Sequence, residues 1–325
     1  MAGCAGALGQ AWFGLLLTLA LLVAALLCKA MMLAQLCTSL RDCTRERWAI
    51  AITQAAFRFV LLGCPWVRVQ AEGEAHWGRL GASDERPVFL LANHTSFLDT
   101  VLAVAKIPRH IAIRTRMYTS QHLLGLPLLG TCIKAMGHFP VPYVHSEEGK
   151  FAVDAEAMQQ TEASVDAHLA AGGDAILSFF PEGQLNKRPA QLLPFRYGGI
   201  RRALEHDARI WHLTTCGCEV VWPRWAAVGG IPGTVRFGLE AVAPDGCQAL
   251  AQQLLQAGEK SGQKEHELLA THLQATMQAH YDRLRQADGG GCFCGCCRRQ
   301  SGPPASGSLE SLLSPPNSPP GSPVS

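Results

Sequence analysis

Val88-Phe89-Leu90-Leu91-Ala92-Asn93-His94-Thr95-Ser96-Phe97-Leu98-Asp99 is the stretch on which the fold turns. Its first five residues are apolar without a break, too short a run for a helix, and read as a strand buried on both faces. The run stops at Asn93-His94. Ser96 followed three residues later by Asp99 has the spacing of a helix start, in which a carboxylate returns to the N-terminal turn. His94 is therefore expected at a strand end facing a helix N-terminus, where α/β sheets build their sites.

Outward from this point, residues 66–287 alternate short apolar runs with helical stretches, which predicts one α/β domain. Strands are expected at 88–92, 109–114, 136–141, 175–180, 220–222 and 234–239. Helices are expected at 150–171, after Gly198, at 248–256 and at 263–286, where Leu269, Leu273, Met277 and Leu284 recur at near-helical spacing and read as core contacts.

Upstream, residues 12–34 are apolar except for Thr18 and Lys29. At ~1.5 Å each these residues reach about 34 Å, enough for a hydrocarbon core of about 30 Å. Residues 1–40 are thus expected to be a transmembrane anchor. A cleaved signal peptide fits less well, because no basic residue precedes the run and the run is longer than a signal core. Lys29, Arg41, Arg45 and Arg47 lie after the start of the span and no charge precedes it, so the positive-inside rule places the downstream domain in the cytoplasm. Residues 48–64 are a shorter apolar stretch containing Gln54 and Arg58, which makes 41–65 an interfacial or re-entrant helix, or else a buried helix of the domain. A full crossing there would move the domain to the lumen.

Downstream of 287 the character changes to Gly289-Gly290-Gly291, then Cys292, Cys294, Cys296 and Cys297 beside Arg298 and Arg299, then a Pro/Ser/Gly tail. Residues 288–325 cannot bury a core and are expected to be disordered. The cysteine spacing lacks the paired C-x-x-C of a zinc site, so no metal is expected. Cysteines beside arginines on such a tail suit S-palmitoylation.

Composition agrees with a membrane-attached chain. Of its 325 residues 17% are charged, below the roughly 25% of soluble domains, and the mean hydropathy is +0.10. A net charge of +2, with no basic block interleaved with aromatics, excludes a nucleic-acid partner. The 13 cysteines are odd in number and scattered, which does not suit a secreted disulfide scaffold. Cys132, Cys216 and Cys218 read as small buried hydrophobes, and all thirteen as free or lipidated.

His94 and Asp99 carry candidate chemistry. Imidazole titrates near neutrality and suits a base that removes a proton from a hydroxyl, and a carboxylate on its other nitrogen would fix the tautomer. The pair has no nucleophile of its own, so an acceptor hydroxyl would be the nucleophile. Taken singly, Asp99 reads equally well as a helix cap and His94 as a turn histidine.

A second motif shifts that balance. Phe179-Phe180-Pro181-Glu182-Gly183 ends an apolar strand and is followed by Lys187, Arg188 and Pro194-Phe195-Arg196-Tyr197-Gly198. With N-H-x-x-x-x-D and F-P-E-G in order and some eighty residues apart, the chain resembles the phospholipid/glycerol acyltransferase family (PlsC-like, of the 1-acylglycerol-3-phosphate acyltransferase type) over residues 66–239. Weaker matches are Leu126-Pro127-Leu128-Leu129-Gly130 with Gly137-His138-Phe139, and Val220-Val221-Trp222-Pro223.

The resemblance implies a mixed sheet flanked by helices behind an N-terminal transmembrane helix. It implies acyl transfer from acyl-CoA or acyl carrier protein to a glycerophosphate or lysophospholipid hydroxyl, with acyl-CoA as co-substrate and no cofactor. His94 would be the base and Asp99 its orienting partner. Asn93, Glu182 and Gly183 would bind the acceptor. Two positions depart from the family: Tyr143 and Gln184-Leu185 stand where arginines that grip a phosphate monoester are usual. Arg188, at the offset of an asparagine-arginine variant, and Lys187 and Arg196 are the replacements, and the acceptor implied is a lysophospholipid with a masked phosphate. Arg109, Arg114, Arg116 and Lys134 either meet CoA phosphates or form a solvated basic face. No G-x-S-x-G occurs, which removes the serine-hydrolase elbow. A CoA-independent transacylase would use the same dyad, and a non-catalytic lipid-binding module fits the missing arginines. The implied location is the endoplasmic reticulum membrane, crossed once, with the domain in the cytoplasm.

Overall fold

The computed structural model describes residues 2–38, 41–73, 76–82, 84–145, 151–257 and 264–287. Residues up to Gln286 form one unit, and the segment from Ala287 onward is a second one. The cysteine cluster at 292–297 lies outside the described residues.

Seven strands make the main sheet in the order β1 (Val67–Glu72), β9 (Gly233–Ala243), β8 (Arg209–Cys216), β2 (Val88–Ala92), β7 (Ile176–Phe179), β3 (Thr115–Ser120), β4 (Phe139–Val141). From β8 to β4 all neighbours are parallel, whereas β9 runs antiparallel to β8 and β1 parallel to β9. The sheet is therefore mixed, and five strands present their C-terminal ends along one edge. β2 lies inside that block, which is why all five of its residues are buried and apolar. β5 (Tyr143–His145) and β6 (Phe151–Val153) form a separate antiparallel hairpin.

Side chains alternate between two helical layers. Val88, Leu90 and Ala92 face a core that includes α1 (Ala2–Cys37), α2 (Asp42–Leu62), α3 (His76–Leu80), α4 (Leu98–Lys106) and α6 (Leu129–Met136). Phe89 and Leu91 face the other core, built from α7 (Ala155–Leu169), α8 (Tyr197–Glu205), α10 (Cys247–Gln256) and α11 (Glu265–Gln286). Leu269, Leu273 and Met277 of α11 are buried there, as their spacing predicts.

α1 carries the one described segment long and apolar enough to cross a membrane, Gly6–Cys37. Phe13, Leu16, Ala20, Ala24 and Cys28 recur every three or four residues and bury one stripe against the domain, while Leu15, Leu19 and Leu26 point outward. α2 turns back along α1. Gln54 and Arg58 on it face the domain, where Gln54 Nε2 donates to the carbonyls of Val104 (2.9 Å) and Ile107 (2.8 Å), and Arg58 Nε to that of Ala105 (2.7 Å). These bonds satisfy carbonyls at the end of α4 that would otherwise lack partners. These bonds pack α2 on the domain, while Trp48, Phe59 and Leu62 stay exposed.

Three expected strands are corrected. Residues 109–114 contain a helical turn, α5 (Arg109–Ala112), because Pro108 precedes it with an extended backbone and one turn brings both Ile111 and Ala112 into the core. The strand comes after it, at β3. Residues 220–222 include the end of another helical turn, α9 (Cys218–Val221), since Gly217, with φ +88°, ends β8 abruptly. Within 136–141, Met136 closes α6 and only β4 is extended. β8 itself is an addition, a central strand whose eight residues are all buried although Arg209, His212, Thr214 and Thr215 are polar.

Candidate active site

His94 and Glu182 meet at the C-terminal edge of β2 and β7. Glu182 is 1% exposed. Its Oε1 accepts the His94 backbone N–H (2.9 Å), and its Oε2 accepts Asn186 Nδ2 (2.9 Å) and the Leu193 N–H (2.8 Å). The Asn186 N–H in turn donates to the His94 carbonyl (2.7 Å). Both backbone groups of His94 are thus held by the segment that begins at F-P-E-G. Burial pushes the Glu182 carboxyl above the usual range, against the pull of these donors.

Asp99, also 1% exposed, sits in the first turn of α4. Its Oδ2 accepts the N–H groups of Thr95 (2.6 Å) and Ser96 (2.7 Å), and its Oδ1 accepts the Thr215 hydroxyl (2.9 Å). The same Oδ2 lies 3.4 Å from His94 Nδ1. One carboxylate thus caps the first turn of α4 and also contacts the His94 imidazole. A carboxylate only accepts, so this contact favours the proton on Nδ1 and leaves the Nε2 lone pair free. At 3.4 Å the contact is long for a hydrogen bond. The imidazole stacks on Phe180 at 4.0 Å between centroids and 12° between planes, which sets the remaining rotation of the ring.

Two residues expected to bind the acceptor are buried. Asn93 is fully enclosed, with Nδ2 donating to the Thr215 carbonyl (2.9 Å) and Oδ1 accepting the Thr215 N–H (2.7 Å). Its amide locks β2 to β8. The Glu182 carboxylate is likewise committed to protein donors. Both act as braces for His94 and Asp99.

Three of the basic candidates are at the surface, whereas Arg116 is buried and paired with Glu46. Arg188 and Lys187 are exposed on the segment that holds the His94 carbonyl, with the Arg188 N–H donating to Asn186 Oδ1 (2.8 Å). Arg196 is exposed, and its Nε donates to the Glu182 carbonyl (3.4 Å). It lies across Gly183, whose φ of +66° and lack of a Cβ both matter, because a Cβ there would strike the Arg196 side chain. Tyr143 is electrostatically coupled to Arg196. Burial raises its phenol above the usual range and the guanidinium partly offsets that.

Sequence reasoning missed Thr215, Cys218 and Glu219, which crowd around Asp99. The Glu219 carboxyl comes within 3.4 Å of the Thr95 hydroxyl. Burial first, and then the charge of Asp99, push it upward, favouring its neutral form. The same two causes raise the Cys218 thiol. The consecutive threonines Thr214-Thr215 near the end of β8 were the signal available for Thr215. Among the described residues no group of three His, Cys, Asp or Glu side chains is placed to hold a metal, and the described cysteines are free thiols.

The model of the Acyltransferase family matches residues 68–216, a span that contains both motifs. No curated protein sequence matches the chain. Among solved structures, the 1-acyl-sn-glycerophosphate (LPA) acyltransferase PlsC from Thermotoga maritima is similar with a TM-score of 0.58 at 14% identity, over 88% of this chain and 98% of that one. At that identity the likeness is one of fold, and the family domain supplies the chemistry. By the Acyltransferase domain at residues 68–216 the chain is an acyltransferase, with a fold similar to that of PlsC.

Proposed function

We propose that this enzyme transfers a fatty acyl group from acyl-CoA to the hydroxyl of a glycerophosphate or lysophospholipid, with His94 as general base. The observation that carries this reading is the His94 Nδ1 contact with an Asp99 carboxylate fixed by three further donors. In the reaction, Nε2 takes the proton of the acceptor hydroxyl as its oxygen attacks the thioester carbonyl carbon. The tetrahedral intermediate expels the CoA thiolate, which takes the proton back from Nε2, leaving an ester and a free thiol. Asp99 stabilises the imidazolium formed between the two steps. Arg188, Arg196 and Lys187 supply positive charge beside this point, with Tyr143 next to Arg196. That set suits a phosphodiester headgroup better than a monoester, because Tyr143 and Leu185 hold positions where paired arginines would grip the second phosphate charge.

A screen of lysophospholipids and glycerol phosphate against one acyl-CoA, with the purified enzyme, tests this. Expected is one free thiol per ester formed and a preference for a lysophospholipid with a masked phosphate. Equal ester formation without acyl-CoA would identify a transacylase. A clear preference for lysophosphatidic acid would refute the headgroup assignment.

We also propose that α1 holds the enzyme in the endoplasmic reticulum membrane with the domain on the cytoplasmic side, since no charge precedes the apolar span and Lys29, Arg41, Arg45 and Arg47 lie toward and beyond its C-terminal end. An epitope fused after Ser325 is expected to be digested by protease added to intact microsomes. Its protection would place the domain in the lumen.

A further inference from the structure

Residues 220–225 form a turn after β8 that the chemistry above does not use. Its centre is anchored on three sides. The Trp222 carbonyl accepts the Ser96 hydroxyl at 2.7 Å, which ties the turn to the His94 loop. The Trp222 ring lies 5.5 Å from that of Phe13 on α1 and 5.8 Å from that of Phe97. Beyond it, Gln10 Nε2 of α1 donates to the Val228 carbonyl (3.2 Å), and Gly9 and Gly230 approach so closely that a Cβ on either would meet the other's carbonyl oxygen.

While Trp222 is buried, its neighbours point away from the protein. Trp225 is 78% exposed and Val220 and Phe97 nearly half exposed, with Arg224 exposed beside them. Three apolar side chains of this size around one turn cost free energy in water unless something covers them. A tryptophan next to an arginine has the chemistry of the headgroup layer, with a flat apolar ring, one N–H donor and a cation for phosphate. The turn also packs against α1, the described segment long and apolar enough to cross a membrane. Phe13 joins the first part of α1 to the turn, and Cys28 packs near Cys132 of α6. The turn is thereby tied to the element that would attach the enzyme to lipid.

We propose that residues 220–225, with Phe97, are a membrane-interface contact that seats the His94 loop, to which Trp222 is bonded through Ser96, at the headgroup layer of the bilayer to which α1 attaches. The acceptor would then reach His94 sideways from the lipid, its hydroxyl at the depth of the imidazole and its chain never crossing water. This rests on the acceptor being a membrane lipid, as proposed above.

The test uses the full chain reconstituted in phosphatidylcholine vesicles. Lipids brominated near the headgroup are expected to quench wild-type tryptophan fluorescence more than that of Trp225→Phe, and lipids brominated deep in the chain to quench both equally. Trp225→Asp is expected to lower kcat/KM for a vesicle-borne lysophospholipid roughly tenfold, the scale of one large apolar side chain withdrawn from lipid. Its kcat/KM for a water-soluble short-chain lysophospholipid should stay within about twofold. Equal shallow quenching of wild type and Trp225→Phe overturns the proposal, as does an equal fall on both acceptors. A detergent-stable dimer that Trp225→Asp converts to monomer overturns it in favour of a second copy. If wild type acylates neither acceptor, the function assigned above fails, and the quenching difference still decides where Trp225 sits.

Discussion

His94→Ala is expected to lower acyl transfer by about three orders of magnitude, the usual contribution of a positioned general base, with little loss of fold. The two effects separate because the backbone and side chain of His94 have different tasks. Its N–H and C=O carry the bonds to Glu182 and Asn186, and alanine keeps both. Its ring stacks on Phe180 and faces Asp99, so truncation should cost about 1–2 kcal/mol of stability. Asp99→Ala is the contrasting case. It removes the acceptor of two backbone N–H groups and of the Thr215 hydroxyl at 1% exposure, so activity and melting temperature should fall together. A His94→Ala protein within tenfold of wild type in a clean membrane assay would exclude the base mechanism.

The difference between these two variants also explains what the sequence could disclose about the site. β2, the turn at Asn93-His94 and the start of α4 were legible because an unbroken apolar run and a serine–carboxylate spacing are local signals. Glu182 was legible as a partner motif, but its bond to the His94 N–H was not. Nothing local distinguishes a carboxylate that meets a substrate from one that closes a bracket 88 residues away on the His94 N–H. The tie between Asn93 and Thr215 was hidden for the same reason, since Thr215 lies 122 residues downstream. β8 escaped altogether because Arg209, His212, Thr214 and Thr215 break the apolar pattern of a central strand. Two of these serve the fold in ways that only tertiary contact reveals: Thr215 holds both Asn93 and Asp99, and Arg209 NH2 donates to the Ala82 carbonyl at 3.2 Å. α5 and α9 were assigned to strands because four-residue turns carry too few residues for a period to show.

His212 has no such service, and it leads to the second large expected effect, a steep loss of stability in mild acid. It is 0% exposed on β8, and neither ring nitrogen has a hydrogen-bond partner among the described residues. Burial, with His280 and His272 opposing a further positive charge, holds its imidazole down to about 3. His138 is held to about 3, again mainly by burial, with the charge of Arg116 and then His168 adding to it. His168 is held to about 4 by burial, against its bond to the Ile176 carbonyl. In the unfolded chain these groups bind protons as pH falls through about 6.5. In the folded chain they stay neutral down to 3–4. The unfolded state therefore binds more protons across that window, so stability is full above about pH 6.5 and declines as pH drops. At pH 5 each histidine should cost about 2 kcal/mol, a large share of the roughly 5–15 kcal/mol that holds a domain together. His212→Leu, similar in volume and without polar atoms, should recover about one such share at pH 5. At pH 7.5, where the orphaned nitrogens alone are relieved, it should gain about 1 kcal/mol. Melting temperatures of wild type and His212→Leu in detergent, from pH 7.5 to pH 4.5, check both claims. A gap between the two proteins that stays constant or narrows as pH falls would remove His212 from the acid response.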